Sequence, residues 1–72
     1  MVTYDIIIFP AKWDWGKCHK EGYKTLSGAK RTAEKLAKNN EMVIIYKNDI
    51  EYGIEVSTHA VIYENGKIRS RA

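Results

Sequence analysis

The sequence predicts an α+β fold, one α-helix packed on one face of a three- to five-stranded antiparallel sheet, and three observations predict it. Residues 27–40, SGAKRTAEKLAKNN, carry apolar side chains at helical spacing. β-branched and aromatic runs lie on both sides of that segment. An Asn-Gly pair near the end of the chain marks a two-residue hairpin turn. The 72 residues make one small domain, 1–72, near the size at which a single core barely suffices without metal, disulfide or partner.

Residues 2–9, VTYDIIIF, read as the first strand, because β-branched and aromatic types dominate and Pro10 then removes an amide donor. Val2, Tyr4, Ile6 and Ile8 share one face; Thr3, Asp5, Ile7 and Phe9 share the other, which stays half apolar. Residues 11–19, AKWDWGKCH, set Gly16 and charges among aromatics and read as a turn or flexible connection, with Trp13 and Trp15 pointing the same way. A short second strand around Tyr23, within 20–25, leads through Leu26 to the helix. There Ser27 is expected to cap the start, its hydroxyl accepting a first-turn amide hydrogen, and Asn39-Asn40 to end the helix in a left-handed turn. Ala29, Ala33, Leu36 and Ala37 form one stripe about 100° wide, which needs a sheet to cover it.

After the helix, residues 42–47, MVIIYK, are apolar on both faces, the pattern of a central strand paired on both sides. Residues 48–53 hold turn formers and read as a loop. Residues 54–64 alternate, with Ile54, Val56, Thr58, Ala60 and Ile62 on one face and Glu55, Ser57, His59, Val61 and Tyr63 on the other. Asn65-Gly66 tolerates the positive φ of both central residues of a type I′ turn. That turn sets Glu64 opposite Lys67, Tyr63 opposite Ile68, and Arg69 and Arg71 opposite Ile62 and Ala60. One helix covers one sheet face, so a second face containing Ile7, Phe9, Val61, Tyr63 and half of the 42–47 strand is expected to stand open and not fully polar.

Composition narrows the function. A chain 44% apolar and 29% charged is a folded domain rather than a disordered one. The lone Cys18 forms no internal disulfide, the longest strongly apolar run is Ile6–Phe9, and the N-terminus lacks a basic region leading into an apolar one. Neither secretion nor membrane insertion is expected, and the expected compartment is the cytoplasm.

The chemistry-bearing residues do not converge. Cys18 and His19 are neighbours on an extended chain and point to opposite sides, with no acidic residue at a spacing that would orient the base. Cys18, His19, His59 and Asp14 lack the paired close spacing of a structural zinc site. Asp49, Glu51 and Glu55 lack the alternating oxygen pattern and glycine turn of a calcium loop, and Ser27-Gly28 falls far short of a phosphate-binding loop. No catalytic residue, metal site or cofactor is therefore expected.

Charge is more informative. Residues 27–40 carry Lys30, Arg31, Lys35 and Lys38 against Glu34, a net +3; residues 41–66 carry Lys47 against Glu41, Asp49, Glu51, Glu55 and Glu64, a net −4; residues 67–72 carry Lys67, Arg69 and Arg71. Arg31, Lys35 and Lys38 fall opposite the apolar stripe at about 100° per residue, and Glu34 is spaced to pair with Lys30. A solvated basic face keeps a small protein soluble; the sharper reading is phosphate contact, joined by Lys67, Arg69 and Arg71 if the last strand lies near the helix. Trp13, Trp15 and Tyr23 among Lys12, Lys17, Lys20 and Lys24 could stack on bases, or make a protein contact.

The run Thr25-Leu26-Ser27 before Ala29, Ala33 and Ala37, with the later Tyr-Glu-Asn-Gly-Lys-Ile hairpin, resembles small bacterial and phage domains of strand-strand-helix-strand build. It also resembles the arm-type DNA-binding domain of tyrosine integrases, in which a three-stranded sheet meets the major groove and a helix supports it from behind. The resemblance covers about half the chain, and its motifs are general helix and hairpin features. Those domains present a basic sheet before the helix, whereas here the first strand is apolar and the strands after the helix are acidic, so no functional residue carries over. The size, the Lys/Asn-rich composition and the lack of a catalytic motif also resemble those of small phage-encoded or mobile-element accessory proteins.

Two expectations follow. The first is a non-enzymatic interaction module, a homodimer that also binds a protein partner through the uncovered sheet face and the Trp13/Trp15 loop. The alternative is a nucleic-acid-binding accessory protein using Arg31, Lys35 and Lys38 with Lys67, Arg69 and Arg71.

Overall fold

The computed structural model describes residues 2–11 and 15–71, with Ser70 and Arg71 described by their backbone. The described elements are β1 (Thr3–Phe9), β2 (Lys17–Tyr23), α1 (Leu26–Leu36), β3 (Met42–Glu51), β4 (Ile54–Glu64) and β5 (Lys67–Arg71). The strands form one five-stranded sheet in the order β2-β1-β3-β4-β5, antiparallel at every step. The predicted α+β architecture is therefore the observed one. Its one-sidedness follows from topology: β2 and β3 flank β1, so the chain between them must cross over β1, and α1 makes that crossing.

Thr25, not Ser27, caps the helix. Its backbone is extended, at φ −129° and ψ 146°, and its Oγ1 accepts a hydrogen bond from the Gly28 amide at 3.2 Å. A β-branched residue suits that extended position, and its hydroxyl then meets the first-turn amides before Ser27 can. The expected left-handed Asn39-Asn40 end is also absent. Ala37 stays right-handed, and Asn40 closes the last turn through its side chain, Nδ2 donating to the Leu36 carbonyl at 2.8 Å.

Beneath the helix lies the core. Ala29, Ala33 and Ala37 are buried, and their small side chains let the helix backbone come close to the sheet. Ile6, Val43 and Ile45 are the largest fully buried side chains, and Tyr4, Ile8, Tyr23, Leu26 and Leu36 pack around that core. Removing each such aliphatic side chain from water contributes roughly 1.5–3 kcal/mol.

The predicted central strand is central, but longer than expected. β3 runs to Glu51, and residues 48–51, expected as loop, pair with 54–57 of β4; only Tyr52 and Gly53 make the turn. Cys18 and His19, expected in a connection, lie in β2.

The largest correction concerns β4. Ile45 pairs with Val61, but Tyr46 pairs with His59, so Ala60 is one residue too many. Such a bulge reverses the facing of everything beyond it. Val61 and Tyr63, expected on the uncovered face, are in the core beneath the helix, 4% and 2% exposed. Ile62, expected with the core, takes the other face. Glu64 does face Lys67 and Tyr63 does face Ile68; beyond them a second shift pairs Ser70 with Ile62 and Arg71 with Val61, displacing both arginines from their expected partners.

Candidate interaction surface

On the face away from α1, register places residues in rows across the strands. Ile7, Ile44 and Ile62 are direct cross-strand partners in β1, β3 and β4. Phe9, Met42 and Glu64 form the next row toward one end, and Asp5, Tyr46 and His59 the next toward the other. Ile44 is 6% exposed yet stands outside the core under the helix; its flanking isoleucines shield it, and Ile7 and Ile62 are themselves half-buried. β-branched side chains pack closely on a pleated surface, which makes the row a firm apolar strip.

The strip has a defined border. Tyr46 and His59 meet edge to face, with ring centroids 4.8 Å apart. Beyond them a chain of hydrogen bonds joins four strands. Asp5 Oδ1 accepts from the Gly22 amide at 3.0 Å, Asp5 Oδ2 accepts from Asn48 Nδ2 at 2.7 Å, and Asn48 Oδ1 accepts from Ser57 Oγ at 2.6 Å. The sequence signal for this network was an aspartate inside a β-branched run. At the opposite end the Phe9 ring presses on Gly16, where an added Cβ would come within 2.7 Å of it. A recess of ≈ 260 Å³ there is lined by Phe9, Ala11, Glu41, Met42, Glu64 and Asn65. Trp15, next to Gly16, is 90% exposed.

Of the residues expected to form the interaction surface, the structure puts Ile7 and Phe9 together on this face, and the exposed Trp15 adjoins Gly16, which lies against both. The structure removes Val61 and Tyr63 to the core, and Trp13 lies outside the described residues. Met42, Ile44, Tyr46 and Ile62 take their place. The first three were legible as the second apolar side of β3; Ile62 was hidden by the Ala60 bulge.

The expected basic site divides. Arg31, Lys35 and Lys38 are exposed on the helix, as their spacing required. Arg69 instead pairs with Glu64, Nη1 to Oε2 at 3.0 Å, and among the described residues the backbone of α1 lies against β1, β2, β3 and β4 rather than β5. Lys67 is exposed at the start of β5, and the side chain of Arg71 lies outside the described residues. Among the described residues no ion pair joins Lys30 to Glu34.

Cys18 is exposed on β2, its Sγ 3.8 Å from Glu21 Oε1. Desolvation, and then the carboxylates of Glu21 and Asp5, push its thiol above the ordinary range. That holds it as the weakly nucleophilic thiol near neutral pH. His59, on β4, is separated from Cys18 and His19 by two intervening strands, and Asp14 lies outside the described residues. Among the described residues no three His, Cys, Asp or Glu side chains converge, and no helix is long and apolar enough to cross a membrane.

Comparison with protein-family models, with curated proteins and with solved structures finds no match.

Proposed function

We propose that the chain is a non-enzymatic interaction module that self-associates through the sheet face opposite the helix. The observation that carries this reading is the Ile7–Ile44–Ile62 row, an apolar strip across three strands over which, among the described residues, no helix or strand is laid, Gly16 alone closing on Ile7 at one edge. The row suits a second copy. A two-fold axis along β3 lays Ile7 of one copy over Ile62 of the other, Ile44 over Ile44, and Asp5 opposite His59, because each pair is equidistant from β3. Such an isologous contact is complementary to itself and closes at two copies. Size is consistent with this: the molecule measures 36 × 24 × 20 Å, and its broad face is on the scale of the ~800 Å² that each partner gives a standard interface. A protein partner of another sequence, on this reading, competes with the second copy for the same strip and the Trp15 rim.

Light scattering coupled to size exclusion tests the dimer. The wild-type chain is expected to be dimeric at high micromolar concentration, and Ile62→Lys to be a folded monomer with an unchanged circular dichroism spectrum. A wild-type chain that stays monomeric at high micromolar concentration would falsify the proposal.

A second reading, nucleic-acid binding, is favoured by one observation: Arg31, Lys35 and Lys38 are exposed and no ion pair engages them among the described residues. With Arg69 paired to Glu64, this reading rests chiefly on the helix, although the β4–β5 turn brings Gly66, the neighbour of Lys67, beside the Ala37 carbonyl at the helix end. Duplex affinity should then fall with salt, with a log–log slope of about −0.9 per neutralised phosphate. Arg31→Glu/Lys35→Glu should abolish it; duplex binding indifferent to that double change removes the reading.

A further inference from the structure

The far end of the β3–β4 hairpin is a projecting arm. β1 ends its pairing with β3 at Thr3–Asn48, so the pairs Asp49–Val56, Ile50–Glu55 and Glu51–Ile54 stand beyond the rest of the sheet. At ~3.4 Å per residue the arm reaches about 10 Å. Its large apolar side chains are in water: Ile50 is 60% exposed, Ile54 66%, and Tyr52, at the apex, 100%.

The apex residue is the unusual one. Tyr52 has φ 52° and Gly53 φ 77°, the two-residue pattern that strongly prefers Asn or Asp at its first position. The same chain supplies the ordinary solution elsewhere: in the β4–β5 turn Asn65 has φ 53° and Gly66 φ 79°. A bulky side chain is disfavoured in that left-handed region, where Asn is tolerated. Tyr52 thus gives up turn stability without burying its ring against this chain. An aromatic ring held out on a short rigid turn is the anchor type found at the centres of protein interfaces.

The surroundings of the anchor select the partner. From Asn48 to Val56 the arm carries Asp49, Glu51 and Glu55 and no lysine or arginine, within a chain of net charge +3. That local charge repels nucleic acid and anionic membranes and complements a cationic protein. We propose that the arm tip is a docking element for a Lys/Arg-rich amphipathic segment of another protein, whose apolar side chains pack on Tyr52 and Ile50 while its cations face Glu55, the cross-strand partner of Ile50 on the same face. Ile50 shares the face of the isoleucine strip, three rows beyond Ile44 along β3, so peptide binding is also measured in the monomeric Ile62→Lys chain, where no second copy covers the arm.

The test begins by selecting a displayed library of random short peptides against the full chain and titrating the enriched peptides into ¹⁵N-labelled protein. Enriched peptides should be cationic and apolar, with shifts concentrated in residues 49–56. Tyr52→Asn should weaken them at least about tenfold, the usual weight of an aromatic anchor, while leaving the melting temperature equal or higher. Glu55→Lys should weaken them as well, and Ile62→Lys should not. Neutral or acidic enriched peptides, shifts on the helix or isoleucine strip, or full affinity in Tyr52→Asn would each overturn the proposal. So would shifts at 49–56 produced instead by unlabelled copies of the Ile62→Lys chain, by duplex DNA or by anionic vesicles, which would assign the arm to those occupants.

Discussion

Ile45 and Ile50 lie five residues apart on β3, yet the first is fully buried and the second is 60% exposed. The strand, the residue type and the antiparallel partner β4 are common to both. What differs is coverage and also face: five residues apart, Ile45 points beneath α1 and Ile50 to the opposite side of the sheet. The near half of the β3–β4 hairpin has β1 beside it and α1 above it, because the crossover from β2 to β3 passes there; the far half extends beyond both. β-branched composition therefore made the strand, and crossover position decided which part of it became core. Near-half isoleucines hold the fold together, and far-half isoleucines remain available to something outside the chain.

The sharpest way to break that comparison is Ile45→Ala. Ile45 is fully buried in the cluster that includes Ile6, Val43 and Ala33, so truncation loses its transfer free energy and leaves a cavity. The expected loss is about 2–5 kcal/mol. Urea denaturation should show a lower midpoint with an unchanged slope, measured in the Ile62→Lys background so that any dimer does not add a concentration-dependent term. A loss comparable to that of a surface change would mean that the helix does not close over β3.

How much of this was legible in the sequence differs between the two halves. Periodicity of two and of about 3.6 residues sufficed for the helix, the first strand and the central strand, since each buries a continuous face. The Asn65-Gly66 turn was readable because its residues match the backbone the turn requires. The Tyr52-Gly53 turn was not, because tyrosine does not announce positive φ, and Asn48, Asp49 and Gly53 suggested a loop where the strands in fact continue. The Ala60 bulge left no mark, for alternation looks the same on either side of one inserted residue; Val61 and Tyr63 were misplaced on the open face for that reason. Thr25 was passed over as cap in favour of Ser27, two residues on, because either hydroxyl satisfies the same local pattern. Arg69 looked free because its partner Glu64 was assigned to Lys67 across the turn, and a side chain as long as arginine reaches past its register position to a second carboxylate.

The smallest effect expected is Ile50→Thr. Threonine keeps the β-branched backbone preference of the strand, so pairing with Glu55 is preserved, and the side chain it alters is already mostly in water. Stability should change by no more than about 0.5 kcal/mol in either direction, the usual range for surface substitutions. The value of this measurement lies in its contrast with Ile45. If Ile50→Thr costs the fold as much as Ile45→Ala, then the arm is folded back or sheltered by a second copy in solution, and its apolar tip is not free for a partner. If the fold is indifferent to Ile50→Thr while cationic peptide binding weakens, one hairpin serves two purposes along its length: its near half closes the core, and its far half is held in water for contact with another molecule.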